Sequence, residues 1–237
     1  MTLNNKKKIL CIIQARMNSK RLKGKVLKKI QGKTALEHII ERSLQVKSID
    51  DLVVATSNNK LDDKIEEFCK RQKINCYRGD EINVLSRFYE ISKKNLAKNI
   101  LRLTADCPLH DPEVIDDIIK FYKENNFDYV SNSIKRTFPV GLDTEVFSFD
   151  SLEKAFFYSS DPLHREHVTL YINRKFSELN NGSFKIYNYR AKGNFSFLRW
   201  TLDTLEDLKR IRVLMRLSEN SYSWLNLISK LIERNYK

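Results

Sequence analysis

No aspartate or glutamate occurs before Glu37, while eleven lysines and arginines do. The chain is equally spare elsewhere. Its four cysteines (Cys11, Cys69, Cys76 and Cys107) form no CxxC pair, which excludes a zinc ribbon or a disulfide framework and points to reduced thiols. No apolar run approaches the roughly 20 residues of a membrane span. Ile9–Ile13 is too brief for a signal-peptide core, so a cytoplasmic protein is expected. There is no GxxxxGK[ST] phosphate loop, no GxGxxG dinucleotide fingerprint and no HExxH zinc motif.

What is present is a chain of 237 residues, 41% apolar, with a net charge of +13. That length supports one compact domain, or a core domain with a sizeable insertion. Such a charge suits either a nucleic-acid partner or an anionic small-molecule site. Beyond Glu37 both signs are mixed, so the excess is local. A local excess favours a polyphosphate pocket near the N-terminus over a broad nucleic-acid face. No zinc-finger or RRM-type motif and no aromatic-studded platform supports the latter, and no nucleic-acid partner is expected.

Strand and helix signals alternate. Continuous apolar runs at Ile9–Ile13 and Leu52–Ala55 read as strands buried on both faces. Ile74–Tyr77, Ile100–Thr104 and Asp128–Ser131 are further strands. Between them lie helical patterns: Ala35–Val46 capped by Thr34, Asp62–Arg71, Val84–Lys94, and Glu113–Lys123 behind Pro112. The expectation is an α/β fold, a mostly parallel sheet with helices on both faces. Residues 1–131 and 195–237 form its core. Residues 132–194 change rhythm, with an extended Thr144–Phe149, helices at Ser151–Tyr158 and Pro162–Ile172 and a strand at Phe184–Tyr189, and read as an inserted segment. A strand at Phe197–Leu202, a helix at Leu205–Leu217 and a closing helix at Ser223–Arg234 complete the pattern.

Ligands of such sheets bind beyond the carboxyl ends of the strands. Three polar stretches fall there. Gln14–Lys25 leaves the first strand carrying Arg16, Lys20, Arg21, Lys23 and Lys25, and its cations and backbone N–H groups suit a nucleoside triphosphate. Asp106 ends a strand before Cys107-Pro108, where a carboxylate can hold Mg²⁺ against phosphates or simply form a turn. Asp203 ends the strand before Thr204-Leu205-Glu206-Asp207, which has capping-box spacing, and is the better second Mg²⁺ ligand. Asp143 and Glu145, two apart on an extended segment, share a face; they could bind an acceptor, help with a metal or face solvent. The cluster His164–His167 offers Arg165 and His167 for substrate or dimer contact, or forms a surface helix face. Arg87, on the helix after the third strand, reads as solvated.

These stretches, in this order, resemble the cytidylyltransferase family that includes the CMP-Kdo and CMP-sialic acid synthetases, most closely its spore coat polysaccharide biosynthesis protein F-like branch. Ala15, Arg16, Ser19, Arg21, Leu22 and Lys25 match the family's opening motif. Thr104–Leu109, Gly141–Glu145, Arg165–Val168 and Asp203–Asp207 match later ones, so the resemblance runs from Ile9 to about Leu217. It implies a Rossmann-like nucleotidyltransferase that binds CTP through Ala15, Arg16, Ser19, Lys20, Arg21 and Lys25, holds Mg²⁺ on Asp106 and Asp203, and transfers CMP to an acidic sugar with release of pyrophosphate. Arg16, Lys25, Asp106 and Asp203 would be catalytic. Thr56, Ser57, Arg78 and Gly79 would lie in nucleoside-contacting loops, each of which could instead be an ordinary turn. Asp143, Glu145, Arg165 and His167 are the acceptor-site candidates, and a homodimer built through residues 132–194 is expected. Val26 stands where the sialic acid branch has asparagine, which argues against that acceptor. The competing reading is a metal-dependent glycosyltransferase, disfavoured because the second aspartate of an Asp-x-Asp motif is missing at Pro108.

Overall fold

The computed structural model describes residues 8–173, 184–219 and 221–235. A seven-stranded sheet runs β5 (Asn75–Gly79), β4 (Asp51–Ser57), β1 (Ile9–Gln14), β6 (Asn99–Thr104), β8 (Glu145–Ser148), β7 (Tyr129–Ser131), β9 (Ile186–Asn188). Only β8 is antiparallel to its neighbours. A two-stranded ribbon, β2 (Lys29–Ile30) and β3 (Lys33–Thr34), leads into the first helix.

Period-two alternation explains the layering. In β1, Ile9, Cys11 and Ile13 point to one face and Leu10 and Ile12 to the other, all at most 1% exposed. The first face packs against α1 (Ala35–Leu44), α2 (Asp63–Gln72), α4 (Pro112–Glu124), α7 (Leu205–Ser218) and α8 (Trp224–Asn235). The second packs against α3 (Val84–Lys94) and α5 (Phe149–Tyr158). Burying both faces requires apolar residues at every strand position, as the continuous runs indicate.

The helices begin as their sequences suggest. Thr34 accepts from Glu37 N while Glu37 returns to Thr34 N, a full capping box. Asp111 caps α4 ahead of Pro112. From β1 the chain steps outward through β4 to β5, then crosses the other face by α3 and returns to β6 on the far side of β1. That reversal opens a crevice beyond the carboxyl ends of β1 and β6, where open α/β sheets hold ligands.

Three expectations need correction. Phe197–Leu202 forms no strand; it leaves a turn at Phe197, and its one β-bridge is Val140 to Arg199. Strand-like composition here reflects burial of Trp200 and Leu202, not sheet pairing. The helix expected at Pro162–Ile172 stops at Glu166 (α6, Pro162–Glu166), and Val168 adopts a positive φ of 24°. Residues 132–194 give β8 and β9 to the main sheet, with β8 inserted between β6 and β7. Part of the expected strand Phe184–Tyr189 is β9; residues 174–183 lie outside the described residues. Among the described residues no helix is long and apolar enough to cross a membrane.

Candidate active site

The loop after β1 is held from beneath. Ala15 donates its N–H to Ala55 O at 3.0 Å, continuing the sheet one step. Met17 N donates to Asp62 Oδ1 at 2.7 Å, and the same carboxylate accepts from Ser57 N and Oγ at 3.1 and 2.5 Å. Asp62 thus ties the β1 loop to the end of β4. Met17 O accepts from Ser19 N and Gly24 N at 3.0 and 2.9 Å, closing the loop on itself. Gly24 has φ of 65°, a left-handed turn that aims Lys25 back at the sheet.

Lys25 then reaches the centre of the crevice. Its Nζ lies 2.5 Å from Asp106 Oδ2 and 2.8 Å from Asp203 Oδ1. Arg21 sits 3.0 Å from the same Asp203 oxygen, and Arg199 reaches Asp203 Oδ2 at 2.8 Å. Two aspartates 97 positions apart in sequence therefore converge on one cationic point. The cause is backbone pairing. Leu202 N donates to Asp106 O at 2.7 Å, and Trp200 N to Val140 O at 2.7 Å. Gly141 permits this approach: its φ is 111°, and a Cβ there would stand 2.7 Å from the Trp200 carbonyl carbon. Asp203 is thus placed by an irregular segment pinned to the β6 loop, not by a strand. Thr204 and Asp207 form the capping box of α7.

Burial alone would raise the Asp106 carboxyl, but the Lys25 charge and hydrogen bonds from Lys25, Thr104 and Cys107 hold it below the usual aspartate value. Burial would lower Lys25, yet Asp106 and Asp203 outweigh it and the ammonium is stabilised above its ordinary value. Both partners are therefore charged at neutral pH.

Around this centre a cleft of about 500 Å³ is lined by the β1 loop, Thr104–Asp106, Glu166 and Asp203. Arg16, Lys20, Arg21 and Lys25 face Asp106, Glu166 and Asp203 across it, leaving one positive charge over. Ser19 also lines it, whereas the Ala15 side chain is buried beneath.

The other candidates divide. Thr56 and Ser57 are fully buried at the end of β4. Arg78 turns away: its guanidinium donates to Ser57 O at 3.0 Å, Asn59 O at 2.9 Å and Glu66 at 2.8 Å, and pairs with Asp63 at 2.7 Å. The expected common face of Asp143 and Glu145 dissolves, because Asp143 precedes β8 and pairs with Arg136 through NH2 at 2.9 Å. Glu145 is 8% exposed and engages Arg102, Tyr129 Oη at 2.6 Å and Thr169 Oγ1 at 2.7 Å. Its carboxylate is saturated inside the fold, not presented to solvent. Arg165 donates to Ser159 O at 2.8 Å and lies over the Phe156 ring, so it fastens α6 to α5. His167 lines a separate hollow of about 340 Å³ with Arg102, Thr169, Leu170 and Asn173.

Sequence reasoning missed three contributors and misplaced a fourth residue, Arg87. Glu166, beside the favoured Arg165, is the α6 side chain at the cleft, 4.0 Å from Arg16. Gln14 lines the cleft and accepts from Arg102 NH2 at 3.2 Å, joining it to the His167 side. Arg199 spans Asp203 and Asp207 at i+4 and i+8, a signal readable in the sequence. Arg87 is 1% exposed, not solvated.

The family model described as cytidylyltransferase matches residues 10–229 of this chain. The chain belongs to the cytidylyltransferase family. An uncharacterised protein of Methanocaldococcus jannaschii is 42% identical over 204 residues, covering 85% of this chain and 81% of that protein. The spore coat polysaccharide biosynthesis protein SpsF of Bacillus subtilis is 34% identical over 215 residues, 87% of this chain and 85% of its own. A solved cytidylyltransferase structure from Leptospira borgpetersenii superposes with a TM-score of 0.87 at 32% identity, covering 96% of this chain and 94% of that one. The cytidylyltransferase is accordingly a nucleotidyltransferase enzyme with a Rossmann-like sheet.

Proposed function

We propose that this cytidylyltransferase uses CTP and Mg²⁺ to transfer CMP to an acidic sugar or similar acid, releasing pyrophosphate, in surface polysaccharide biosynthesis. The observation that carries the reading is the convergence of Lys25, Asp106 and Asp203 at the mouth of a cleft rimmed by Arg16, Lys20 and Arg21. Phosphoryl transfer depends on positioning and charge neutralisation more than on covalent help from the protein.

The residues fit a divalent cation. An ammonium already stands at hydrogen-bonding distance from both carboxylates, so a cation between them is electrostatically satisfied. Among the described residues no three His, Cys, Asp or Glu side chains converge; a pair suits Mg²⁺, which commonly takes one or two carboxylates and fills its shell with water and phosphate oxygens. When bound on Asp106 and Asp203, Mg²⁺ would neutralise phosphate charge. Lys25, with phosphate oxygens as alternative partners, turns from the carboxylates to the nucleotide, and Arg16 and Arg21 hold the leaving pyrophosphate. An acceptor oxygen forms the new bond to the α-phosphorus as the α–β bridging P–O bond breaks, and the acceptor's proton is lost to solvent.

The acceptor approaches from the Gln14 side, towards the hollow of Arg102 and His167. Location in the cytoplasm suits the free thiols of all four cysteines. A homodimer suits the exposed Phe157, Tyr158 and Leu163 on α5 and α6.

A pyrophosphate-release screen with each of the four NTPs, Mg²⁺ and a panel of acidic sugars tests the reading. Release confined to CTP plus one acidic acceptor is expected. Thermal stabilisation by UDP-sugars and not by CTP would instead identify a glycosyltransferase.

A further inference from the structure

The two aspartates of the cleft are held differently. Asp106 Oδ2 meets Lys25 at 2.5 Å, and its Oδ1 has the Cys107 thiol, a weak donor, at 3.5 Å. Asp203 has a cation on each oxygen. Lys25 and Arg21 lie 2.8 and 3.0 Å from Oδ1, while Arg199 NH2 donates to Oδ2 at 2.8 Å. Arg199 is not among the residues that line the cleft, so it acts on the site through Asp203.

That grip is built from both ends. Leu198 O accepts from Val140 N at 2.9 Å, and Trp200 N donates to Val140 O at 2.7 Å, which fixes the backbone on either side of Arg199. At its far end the guanidinium lies against Asp207, with Nε 3.0 Å from Oδ1 and NH2 3.3 Å from Oδ2. Asp207 is 3% exposed and also accepts from Asp203 N at 3.0 Å. One buried carboxylate therefore holds both the Asp203 backbone and the cation that holds its side chain. The capping box of α7 needs neither contact, since Thr204 and Asp207 complete it between them. Exposed ion pairs add little stability, and 40% of the Arg199 side chain is exposed. What Arg199 adds is the orientation of Asp203.

The number of oxygens offered separates the common divalent cations. Mg²⁺ demands a near-ideal octahedron and takes one or two carboxylates, with water and phosphate oxygens filling the rest. Ca²⁺ gathers about six to eight oxygens and takes a carboxylate through one oxygen or through both. With a guanidinium on Oδ2, Asp203 has Oδ1 alone to offer the cleft. A cation drawing on both oxygens would have to approach a fixed positive charge. We propose that Arg199 is a positioning residue of the metal site, holding Asp203 so that one oxygen faces the cleft and thereby selecting Mg²⁺ over larger divalent cations. This inference rests on the CTP and Mg²⁺ reading above.

The test measures CTP binding by calorimetry, in Mg²⁺ and in Ca²⁺, to the full-length wild type, Arg199→Leu and Arg199→Lys, alongside melting temperatures without ligand. In the wild type the Kd in Ca²⁺ should exceed that in Mg²⁺ by at least about tenfold. In Arg199→Leu the two should come within about threefold of each other, chiefly because Oδ2 is released to Ca²⁺. Arg199→Lys should fall between, since one ammonium meets Asp203 or Asp207 but lacks the fork that meets both. A lowered ratio in the lysine variant also carries the test if the leucine variant does not fold. An arginine that only stabilises the fold would lower the melting temperature on replacement and leave the Ca²⁺-to-Mg²⁺ ratio unchanged. Both variants keeping the wild-type ratio, or a wild type that does not prefer Mg²⁺, would overturn the inference and leave the use of CTP intact. A wild type that binds CTP in neither metal would overturn both.

Discussion

Lys25 and Arg102 are both largely buried cations facing carboxylates, with 13% and 17% of their side chains exposed. Their settings differ. Lys25 shares Asp106 and Asp203 with Arg21 and Arg199 at the wall of an open cleft. Arg102 faces Glu145, whose remaining valence is filled by Tyr129 and Thr169 inside the α3 and α5 layer. Burial works to raise Glu145, but Arg102, Tyr129 and Thr169 hold it below its usual value. A pair that borders a cleft can exchange one partner for an incoming phosphate at small net cost. Glu145 has no such freedom, because its carboxylate is already engaged by Arg102, Tyr129 and Thr169 inside the fold, and its removal is felt as lost stability. The same pairing of charges is therefore open to exchange in one place and architectural in the other.

That contrast can be broken experimentally. Asp106→Asn should reduce pyrophosphate release by about a thousandfold, since charge placed against the reacting phosphates is lost, while the melting temperature changes little. Turnover near the wild-type rate would remove Asp106 from the chemistry. Lys25→Met should reduce turnover by about a hundredfold. It should also create binding of Mn²⁺ without nucleotide, because two facing carboxylates are left without their ammonium; titration by electron paramagnetic resonance reads this directly. Glu145→Gln should act oppositely, lowering unfolding free energy by about 3 kcal/mol in urea at neutral pH. An unchanged urea midpoint would show that the Arg102 pair is not structural.

The smallest effect concerns Asp207. Burial opposes ionisation there, but Arg199, the Asp203 and Thr204 contacts and helix capping bring its carboxyl down to about 2 from the ordinary 3.8. A depressed carboxyl contributes stability above the unfolded value and loses it as pH falls through the folded one. Asp207→Asn should therefore flatten the decline in melting temperature between about pH 3.8 and 2, with little effect at neutral pH beyond the loss of charge at the α7 cap. An unchanged acid limb would mean that Arg199 does not anchor this corner.

Much of the cationic cleft was legible in the sequence. Arg16, Lys20, Arg21 and Lys25 follow a run of apolar residues that only a doubly covered strand accommodates, so their place at a strand end was forced. Asp106 was legible for the same reason. Asp203 was found for an imperfect reason, because the segment before it is not a strand; Gly141 and the Leu202 to Asp106 hydrogen bond bring it in. Arg165 and Glu166 are neighbours in sequence, and nothing in their spacing says which one faces the cleft after α6 ends early. Arg87 carries the same ambiguity: a polar residue among Val84, Leu85 and Phe88 is read as the solvated side of a helix unless the groove that Gly79 opens is known.

The sequence alone determined the periodicities, and with them the parallel sheet, its two helical layers and the cationic loop after β1, because strand alternation, helix capping and the cost of burying polar groups act locally. Tertiary structure decided which charges meet. Lys25, Asp106 and Asp203 come from three distant stretches, and Glu145 was drawn inward because Arg102 lay opposite it across β6 and β8. Such meetings depend on strand order and loop pairing, which no local pattern encodes.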